Sequence, residues 1–487
     1  MLKKLLPIAV LVTLLSVIAS MPSATWAQET NQDYYTIKYD GNGNVLWSRA
    51  CDSGFSGYAY KVAVDGEGNI IVTGRSETWH DYDTDGERDE EELNFDYYTV
   101  KYDHTGVEQW QRTYDGGAMD EALCVAVDST DNVIVTGRSF TGTDYDICTL
   151  KYDPEGREIW SQPLLYNGGG SDGANGVAVD SLNDIIVAGY SEAETMDYCI
   201  IKYEPGGSIV EGWPIFYDSG FKDSAFEVAI DSNNNIVVTG VVGVWRDFDD
   251  DGERDEGELT SDVCTLKYDK GGVEVWVEPI LHNIGPSGSN DTPFGLAIDN
   301  DGNIIVTGSY SIREEAQSPQ QFTLREWQLY NTIKYDSNGD LVDGWPVIYD
   351  GGSVEHVYDV AVDLRDNSII VTGEVSDGKS WNYHTIKYDS TGVEQWHQTH
   401  DGGEADVAYS VAVDGEGNII VTGSSLLSPE SPGPQDENNQ KEIPSSPSEE
   451  PQPEGLSGAK ITIIVVGSLV VIGLLILFFV GERRIKG

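Results

Sequence analysis

The sequence predicts an all-β fold, a seven-bladed β-propeller of four-stranded blades, and three observations lead to this prediction. A segment like VAVDGEGNIIVTG recurs seven times in the 487 residues, ending at Gly74, Gly137, Gly189, Gly240, Gly308, Gly373 and Gly423. A segment like YTIKYDGNGNVLW also recurs seven times, centred on Lys38, Lys101, Lys151, Lys202, Lys267, Lys334 and Lys387. The copies are about 50 to 68 residues apart, a spacing typical of propellers and solenoids.

Each repeated segment reads as a β-hairpin. The first contains a Val-Ala-Val-Asp-like run, a turn of Gly, Asn and Asp, and a run like Ile-Ile-Val-Thr-Gly. The second contains a run like Thr-Ile-Lys-Tyr-Asp, another glycine-containing turn and a run ending at Trp47, Trp110, Trp160, Trp213, Trp276, Trp345 or Trp396. Short β-branched runs around such turns indicate hairpins. Four strands per unit without helical periodicity between the units predict propeller blades.

The roles of the repeated residues follow from this architecture. The Val-Ala-Val-Asp strand is predicted to be innermost, because a small alanine between valines suits the crowded axis. Each repeated tryptophan is predicted to lie on an outer strand and to pack between blades. We expect the repeated lysine to form an ion pair with an aspartate at a strand end. Residues present in every blade are structural, because seven copies cannot form one active site.

The two ends of the folded region are predicted to share one blade. The region opens with a lysine-tyrosine hairpin at about 34–48 and closes with a Val-Ala-Val-Asp hairpin at about 409–423. Neither hairpin is a complete blade. Joining them leaves no open edge between the first and last blades.

The repeats resemble those of the SBBP-type β-propeller repeat family, through VAVDGEGNIIVTG at 62–74 and 411–423 and DYYTVKYDHTGVEQW at 96–110. The resemblance covers about residues 33–425. It implies a secreted or surface propeller and carries no shared catalytic residues. The segments KYDHTGVEQW and KYDSTGVEQW are also similar to the blade-docking pattern of quinoprotein propellers, at the level of blade packing.

Both ends of the chain carry segments outside this region. Residues 1–27 have a basic start, an apolar stretch and a small-residue exit, which predicts a secretory signal peptide. An uncleaved anchor is the alternative. Residues 426–460 are rich in Pro, Ser and Glu and predict a disordered stalk.

A membrane anchor is predicted after the stalk. Residues 461–480 are uncharged and span about 30 Å as a helix, which is the thickness of a bilayer core. A buried core helix is the alternative. The basic residues in 481–487 predict a cytoplasmic tail, so the chain reads as a single-pass membrane protein with an extracellular N-terminal domain.

Charge and cysteine usage narrow the function further. The formal net charge is −54, and the sequence has no basic stripe, which argues against nucleic acid as a partner. Three of the five cysteines, Cys148, Cys199 and Cys264, occupy one repeat position and are predicted to be buried, unpaired residues. The state of Cys51 and Cys124 is left open.

Two acidic insertions interrupt the repeat after Trp79 and Trp245. A calcium ion takes about six to eight oxygens at about 2.3–2.6 Å, and alternate residues of a tight loop supply them. In the first insertion the predicted ligands are Asp81, Asp83, Asp85, Glu87 (through its carbonyl), Asp89 and Glu92. In the second they are Asp247, Asp249, Asp251, Glu253 (through its carbonyl), Asp255 and Glu258.

These loops resemble the EF-hand calcium loop but depart from it in two ways. Arg88 and Arg254 stand where paired EF-hands have an apolar residue, and no helical pattern flanks either loop. We therefore predict free-standing structural Ca²⁺ sites of weak affinity. Solvated acidic insertions without a metal are the alternative.

Both loops are predicted on one face of the ring. They connect the second and third strands of their blades, on the side where the chain crosses between blades. A third insertion, Ser309–Leu329, and the long crossing Leu281–Pro293 belong to this insertion face. The opposite face, the turn face, has only short turns. Binding is expected on the insertion face, because loops on a rigid scaffold usually carry it.

Two functions from different classes remain open. The first is a membrane-anchored surface module that binds an extracellular protein or glycan, or serves as an envelope scaffold, with Ca²⁺ stabilising its loops. The second is an extracellular propeller enzyme, either a quinoprotein-like dehydrogenase or a carbohydrate-active enzyme. Seven blades and the lack of an adjacent cysteine pair argue against the dehydrogenase. No catalytic residue is predicted, and no nucleophile and base stand together in the sequence.

Overall fold

The computed structural model describes residues 32–51, 56–79, 93–193, 195–247, 259–282, 291–313, 326–351 and 355–427. By contacts every described residue belongs to one compact unit. The predicted signal peptide, membrane span and tail lie outside the described residues, as does the stalk apart from 426–427. The described residues contain no helix of the length and apolarity that a membrane crossing requires.

The described residues form 28 β-strands. They are β1 (Gln32–Tyr39), β2 (Val45–Cys51), β3 (Gly57–Val64), β4 (Ile70–Trp79), β5 (Leu93–Tyr102), β6 (Glu108–Tyr114), β7 (Asp120–Val127), β8 (Val133–Phe140), β9 (Tyr145–Tyr152), β10 (Leu164–Tyr166), β11 (Asp172–Val179), β12 (Ile185–Glu192), β13 (Met196–Tyr203), β14 (Ile215–Tyr217), β15 (Asp223–Ile230), β16 (Ile236–Trp245), β17 (Leu259–Tyr268), β18 (Ile280–His282), β19 (Asp291–Ile298), β20 (Ile304–Arg313), β21 (Glu326–Tyr335), β22 (Val347–Tyr349), β23 (Glu355–Asp363), β24 (Ser368–Ser376), β25 (Trp381–Tyr388), β26 (Glu394–His400), β27 (Gly403–Val413) and β28 (Ile419–Leu427).

These strands pair into repeated antiparallel four-stranded groups. Five groups, which begin at β3, β7, β11, β15 and β19, are separate sheets of four consecutive strands. The remaining strands form an eight-stranded sheet, in which β23–β26 and the group β27-β28-β1-β2 are joined by one parallel bridge, Trp381 to Ala405. The prediction of an all-β chain of repeated four-stranded sheets is confirmed within the described residues.

The first strands of the groups lie together in a closed circuit. In chain order β3, β7, β11, β15, β19, β23 and β27 each contact the next, and β27 contacts β3. Each is the edge strand of its group and holds a Val-Ala-Val-Asp-like run, as expected of the innermost strand. This circuit of four-stranded sheets is the arrangement of a β-propeller.

The two ends of the described region meet in one group. β1 pairs antiparallel with β28, from Gln32 opposite Leu426 to Tyr39 opposite Ile419. Thr36 and Thr422 share a buried hydrogen bond of 2.9 Å across this pairing. The predicted joining of the N- and C-terminal hairpins is therefore observed in the strand pairing.

The outer strands differ from the prediction in four groups. Trp47, Trp110 and Trp396 lie within the seven-residue strands β2, β6 and β26, as expected. In the other groups the outer strand has three residues, and the tryptophan precedes it, at Trp160, Trp213, Trp276 and Trp345. Each short strand begins directly after a proline: Pro163, Pro214, Pro279 or Pro346. Before the proline, only an isolated bridge such as Tyr152 opposite Glu158 pairs with the third strand. Proline has no backbone N–H for the ladder, so continuous pairing resumes only beyond it.

The repeated glycine of the Thr-Gly pair is required by close backbone packing. Every first strand has a β-bulge opposite this glycine; in β3 it lies between Ala59 and Lys61. A Cβ atom on Gly74 would stand 1.8 Å from the carbonyl oxygen of Tyr58. Any other residue would therefore push the first two strands of the group apart.

All five cysteines are buried and unpaired. Cys148, Cys199 and Cys264 have no exposed surface and pack in apolar clusters, as predicted. Cys51 and Cys124, which the sequence left open, are also buried free thiols. Burial raises the pKa of the Cys124 thiol to about 12, which keeps it protonated.

Candidate functional site

The predicted calcium loops fall almost wholly outside the described residues. Of the twelve predicted ligands, only Asp247 is described, two residues beyond β16. The strand ends that flank the loops pair directly, Trp79 opposite Leu93 and Trp245 opposite Leu259. Both loops therefore connect paired second and third strands, with strands on either side as the sequence indicated. The calcium sites themselves stay a prediction.

The repeated lysines form the expected ion pairs in every group. Each lysine of the third strand reaches the aspartate that ends the first strand of its own group. The Nζ to carboxylate distances are 2.9 Å for Lys38–Asp414, 2.8 Å for Lys101–Asp65, 2.9 Å for Lys151–Asp128, 2.9 Å for Lys202–Asp180, 3.2 Å for Lys267–Asp231, 2.8 Å for Lys334–Asp299 and 3.7 Å for Lys387–Asp363. These pairs are buried, so they belong to the scaffold.

The repeated tryptophans link neighbouring groups. The indole N–H of Trp110 donates to the carbonyl of Pro154 at 3.0 Å, and Lys101 Nζ donates to the same oxygen at 3.3 Å. Trp47 and Lys38 share the carbonyl of His104 in the same way. The predicted packing of tryptophan between blades is observed at these junctions.

The turn face carries two described clefts, and both are formed by this scaffold. The larger, of about 1170 Å³, lies between the turns at 65–68 and 415–418 and is lined by Lys38, Trp47 and His104. The smaller, of about 490 Å³, lies between Gly41 and Ser390 beside Trp396. Since their walls are the repeated residues and their turns, they reflect blade packing.

Residues that break the repeat meet at the axis. The bulged residue of each first strand occupies one repeat position. We call this set the axial collar: Tyr60, Leu123, Asn175, Phe226, Phe294, Tyr358 and Tyr409. Five of its seven members are aromatic. All are buried or half-buried.

The aromatic members of the axial collar touch in sequence around the ring. Ring centroids are 6.0 Å apart for Phe226–Phe294 and 5.6 Å for Phe294–Tyr358. They are 5.3 Å apart for Tyr358–Tyr409 and 5.4 Å for Tyr409–Tyr60. The five aromatic residues therefore form one continuous arc, and Leu123 and Asn175 occupy the remaining two places of the circuit.

An ionic layer lies next to the collar, one residue nearer the turn face. Lys61 of β3 reaches Glu227 of β15 at 2.5 Å and Asp359 of β23 at 3.2 Å. These strands belong to groups that are not neighbours, so Lys61 crosses the axis. The two carboxylates outweigh the effect of burial and raise the pKa of Lys61, which keeps it charged.

Ser410 belongs to the same layer as a structural residue. Its hydroxyl donates to Asp359 at 2.6 Å and accepts the backbone N–H of Val62 at 3.2 Å. The side chain has no exposed surface. Ser410 therefore connects β23, β27 and β3.

A second charged group stands beside the arc, toward the insertion face. Glu121 accepts hydrogen bonds from Arg75 and, at 2.7 Å, from Nε of Arg138. Burial alone would raise the pKa of Glu121, but the two guanidinium groups hold it below its ordinary value. The Arg75 guanidinium also lies over the rings of Phe95 at 4.1 Å and Tyr58 at 4.9 Å.

A third group lies across the ring on β23 and β24. Glu374 has no exposed surface and accepts a hydrogen bond from the hydroxyl of Tyr358 at 3.0 Å. Nδ1 of His356 lies 2.7 Å from the same carboxylate. The His356 ring stacks on Trp381 with centroids 5.2 Å apart. One side of the axial collar is thus fixed by a hydrogen-bonded carboxylate.

Sequence reasoning did not single out the axial collar. The sequence does contain a sign of it, because two positions of the repeat vary in residue type. They are the residue three places before the alanine of Val-Ala-Val and the residue after Thr-Gly. Only the bulge, which is a tertiary feature, shows that these positions face the axis.

Comparison with known proteins gives no function. No family model matches this chain. An uncharacterized WD repeat-containing protein of Acanthamoeba polyphaga mimivirus is 24% identical over 468 residues, covering 81% of this chain and 31% of that protein. The chain therefore spans about a third of that relative's length. The SBBP resemblance stays a prediction.

Solved structures with a similar arrangement have diverse roles. The periplasmic gluconolactonase of Pseudomonas aeruginosa has a TM-score of 0.46 at 9% identity and covers 77% of this chain and 98% of its own. A polysaccharide lyase, an ulvan lyase, has a TM-score of 0.45 at 13% identity, over 72% of this chain and 84% of that one. The plexin A4 extracellular region has a TM-score of 0.47 at 8% identity, over 80% and 46%.

Proposed function

We propose that this chain is a seven-bladed β-propeller, anchored at the cell surface by its C-terminal helix, that binds an extracellular glycan. The predicted signal peptide at 1–27 and membrane span at 461–480 support the location. The closed circuit of first strands supports the blade number. The ligand enters from the insertion face and contacts the axial collar.

The observation that carries this proposal is the aromatic arc. Aromatic rings with nearby polar groups form the usual lining of a small-molecule site. The apolar faces of a sugar ring pack on aromatic rings, and its hydroxyls require charged or amide partners. The arc from Phe226 to Tyr60 supplies the rings, and Asn175, Arg138 and Glu121 supply polar groups beside its gap.

The proposed calcium sites at 81–92 and 247–258 support the insertion face as the side on which the ligand binds. Both loops leave the ring where a second strand ends. In the first group, Arg75 and the first-strand residue Tyr58 pair near this end of the sheet. Bound Ca²⁺ would order these loops and reduce the entropy lost when a ligand binds. Ligand affinity is therefore expected to fall when Ca²⁺ is removed.

Glycan-array binding of the full-length chain tests the proposal. Phe226→Ala and Phe294→Ala are each expected to weaken binding about tenfold, because loss of a stacking ring costs about 1–1.5 kcal/mol. Phe216→Ala is the matched control, since Phe216 is a half-exposed phenylalanine on the outer strand β14. Equal loss with all three variants, or no retained glycan, would refute the proposal. Retention of a surface protein instead would assign the second partner class.

The enzyme alternative is separated by following the bound glycan. A carbohydrate-active propeller would convert it, and chromatography would show shorter or modified products. In the ionic layer, the hydroxyl of Ser410 is held between Asp359 and Val62 and is fully buried, so it is not available as a nucleophile.

A further inference from the structure

The guanidinium groups of Arg75 and Arg138 share one carboxylate, that of Glu121. Nη1 of Arg75 contacts one oxygen of this carboxylate, and Nε and Nη2 of Arg138 contact the other. Among the described residues, neither arginine forms an ion pair with any other carboxylate. Arginine stays charged at physiological pH, so two positive charges face one negative charge. One positive charge in this cluster is left without an anion.

Other arginines of the chain have a carboxylate of their own. Arg157 contacts two carboxylates, and Arg246 and Arg365 each pair with one. Arg75 and Arg138 instead divide a single carboxylate between them. A charge that is removed from water and only partly compensated is costly, and an anion from a ligand would complete the compensation.

Aromatic rings hold both guanidinium groups in place. The Cζ atom of Arg75 lies 5.8 Å from the ring centroid of Tyr60, a member of the axial collar, in addition to its closer rings. The Cζ atom of Arg138 lies 4.6 Å from the ring centroid of Tyr145. A guanidinium group that stacks on a ring presents its N–H groups at its edge. Since Nε and Nη2 of Arg138 face Glu121, Nη1 is the nitrogen outside that pair.

Arg138 is the member of the cluster that a ligand can reach. Its side chain is 15% exposed, whereas the side chains of Arg75 and Glu121 are 8% and 5% exposed. Arg138 pairs in register with Glu121, two residues before Leu123 of the axial collar. A ligand that stacks on the aromatic arc and extends toward Leu123 therefore meets Arg138 before the other two residues.

We propose that the glycan bound at the axial collar is acidic and that Arg138 binds its carboxylate or sulfate group. This rests on the proposed function, because the glycan must contact the collar. Arginine donates paired N–H bonds to either anion. The acidic surface of the chain does not prevent binding, since exposed charges are screened beyond about 8 Å at physiological salt and buried charges are screened much less.

A glycan array with matched pairs tests the proposal on the full-length chain. Each uronic-acid glycan is printed beside its methyl ester, and each sulfated glycan beside its desulfated form, so the members of a pair differ in charge. We expect the acidic member to be retained about tenfold more strongly, because hydrogen bonds to charged groups are stronger than neutral ones. Comparison of the uronic-acid pairs with the sulfated pairs identifies the anion.

Two variants should shift binding in opposite directions. Arg138→Gln is expected to weaken retention of acidic glycans about tenfold and to leave neutral glycans unchanged. Glu121→Gln is expected to strengthen retention of acidic glycans about threefold, because the ligand no longer competes with Glu121 for the guanidinium groups. Arg157→Gln is the matched control, since it removes one positive charge from an exposed turn between β9 and β10. It is expected to change neither class of glycan.

The outcomes separate this proposal from the proposed function. If no glycan is retained, the proposed function fails and this proposal fails with it. If glycans are retained but neutral members bind as well as acidic ones, only this proposal is overturned. Equal loss of both classes with Arg138→Gln would show a structural role and would also overturn it. If Arg138→Gln fails to fold, the wild-type comparison of paired glycans decides.

Discussion

Replacing Lys101 by methionine tests whether the repeated lysine is structural. Lys101 Nζ lies 2.8 Å from Oδ2 of Asp65, and the side chains are 4% and 0% exposed. Asp65 also accepts the backbone N–H and the side-chain amide of Asn69, each at 2.8 Å. Methionine keeps the length of the side chain and removes the charge, so Asp65 becomes a buried carboxylate without its cation.

The expected cost is about 3–5 kcal/mol, the usual penalty for breaking a buried pair by removing one partner. Burial alone would raise the pKa of Asp65, but the hydrogen bonds from Lys101 and Asn69 hold it below its ordinary value, so the pair is charged in the folded protein. The second hydrogen bond of Lys101, to the carbonyl of Pro154 at 3.3 Å, is also lost, which weakens the junction with the next group.

Urea unfolding followed by tryptophan fluorescence measures the change as a shift in midpoint. Lys379→Met is the matched control, because Lys379 is exposed and its loss should change stability by less than about 0.5 kcal/mol. Adding Asp65→Asn to Lys101→Met should restore part of the loss, since the uncompensated charge is removed. A cost below about 1 kcal/mol, or a change in glycan affinity at a temperature where the variant is folded, would refute the structural assignment.

Two further predictions concern acid and ring closure. Burial alone would raise the pKa of Asp128, but hydrogen bonds from Asn132, Lys151 and Thr130 lower it to about 2. The ionised Asp128 therefore stabilises the fold fully above its unfolded pKa of about 4, and this stabilisation is lost as the pH falls toward 2. Circular dichroism between pH 5 and 2 should show a steeper loss of structure in the wild type than in Asp128→Asn. Ile37 in β1 and Ile386 in β25 occupy the same repeat position and are 1% and 0% exposed. Replacing either by alanine should therefore lower the free energy of unfolding by a similar amount, about 2–5 kcal/mol. A negligible cost at Ile37 alone would mean that the N-terminal strand is not part of the ring.

The scaffold was largely predictable, because its residues recur. Lys101 and Asp65 could be matched before the structure was known, since seven copies of the same two residues imply one shared contact. The joining of β1 to β28 followed from the order of the hairpins. The short outer strands were mispredicted, although Pro163 and Pro214 stand in the sequence at the points where pairing is prevented.

The candidate sites were less predictable, because they depend on contacts between distant strands. The acidic spacing at 81–92 is local and could be read directly. The contact of Lys61 with Glu227 joins residues 166 positions apart in the chain and depends on the ring being closed.

The sequence by itself determined the repeat, the pairing of its constant residues and the place where the chain ends meet, because each of these depends on local pattern or on repetition. The tertiary structure decided which variable residues face the axis. That choice rests on a β-bulge in every first strand, opposite a glycine whose Cβ would collide with the neighbouring backbone. It brings five aromatic residues from separate copies of the repeat into one arc and sets this arc beside the charged groups of Lys61, Glu121 and Glu374.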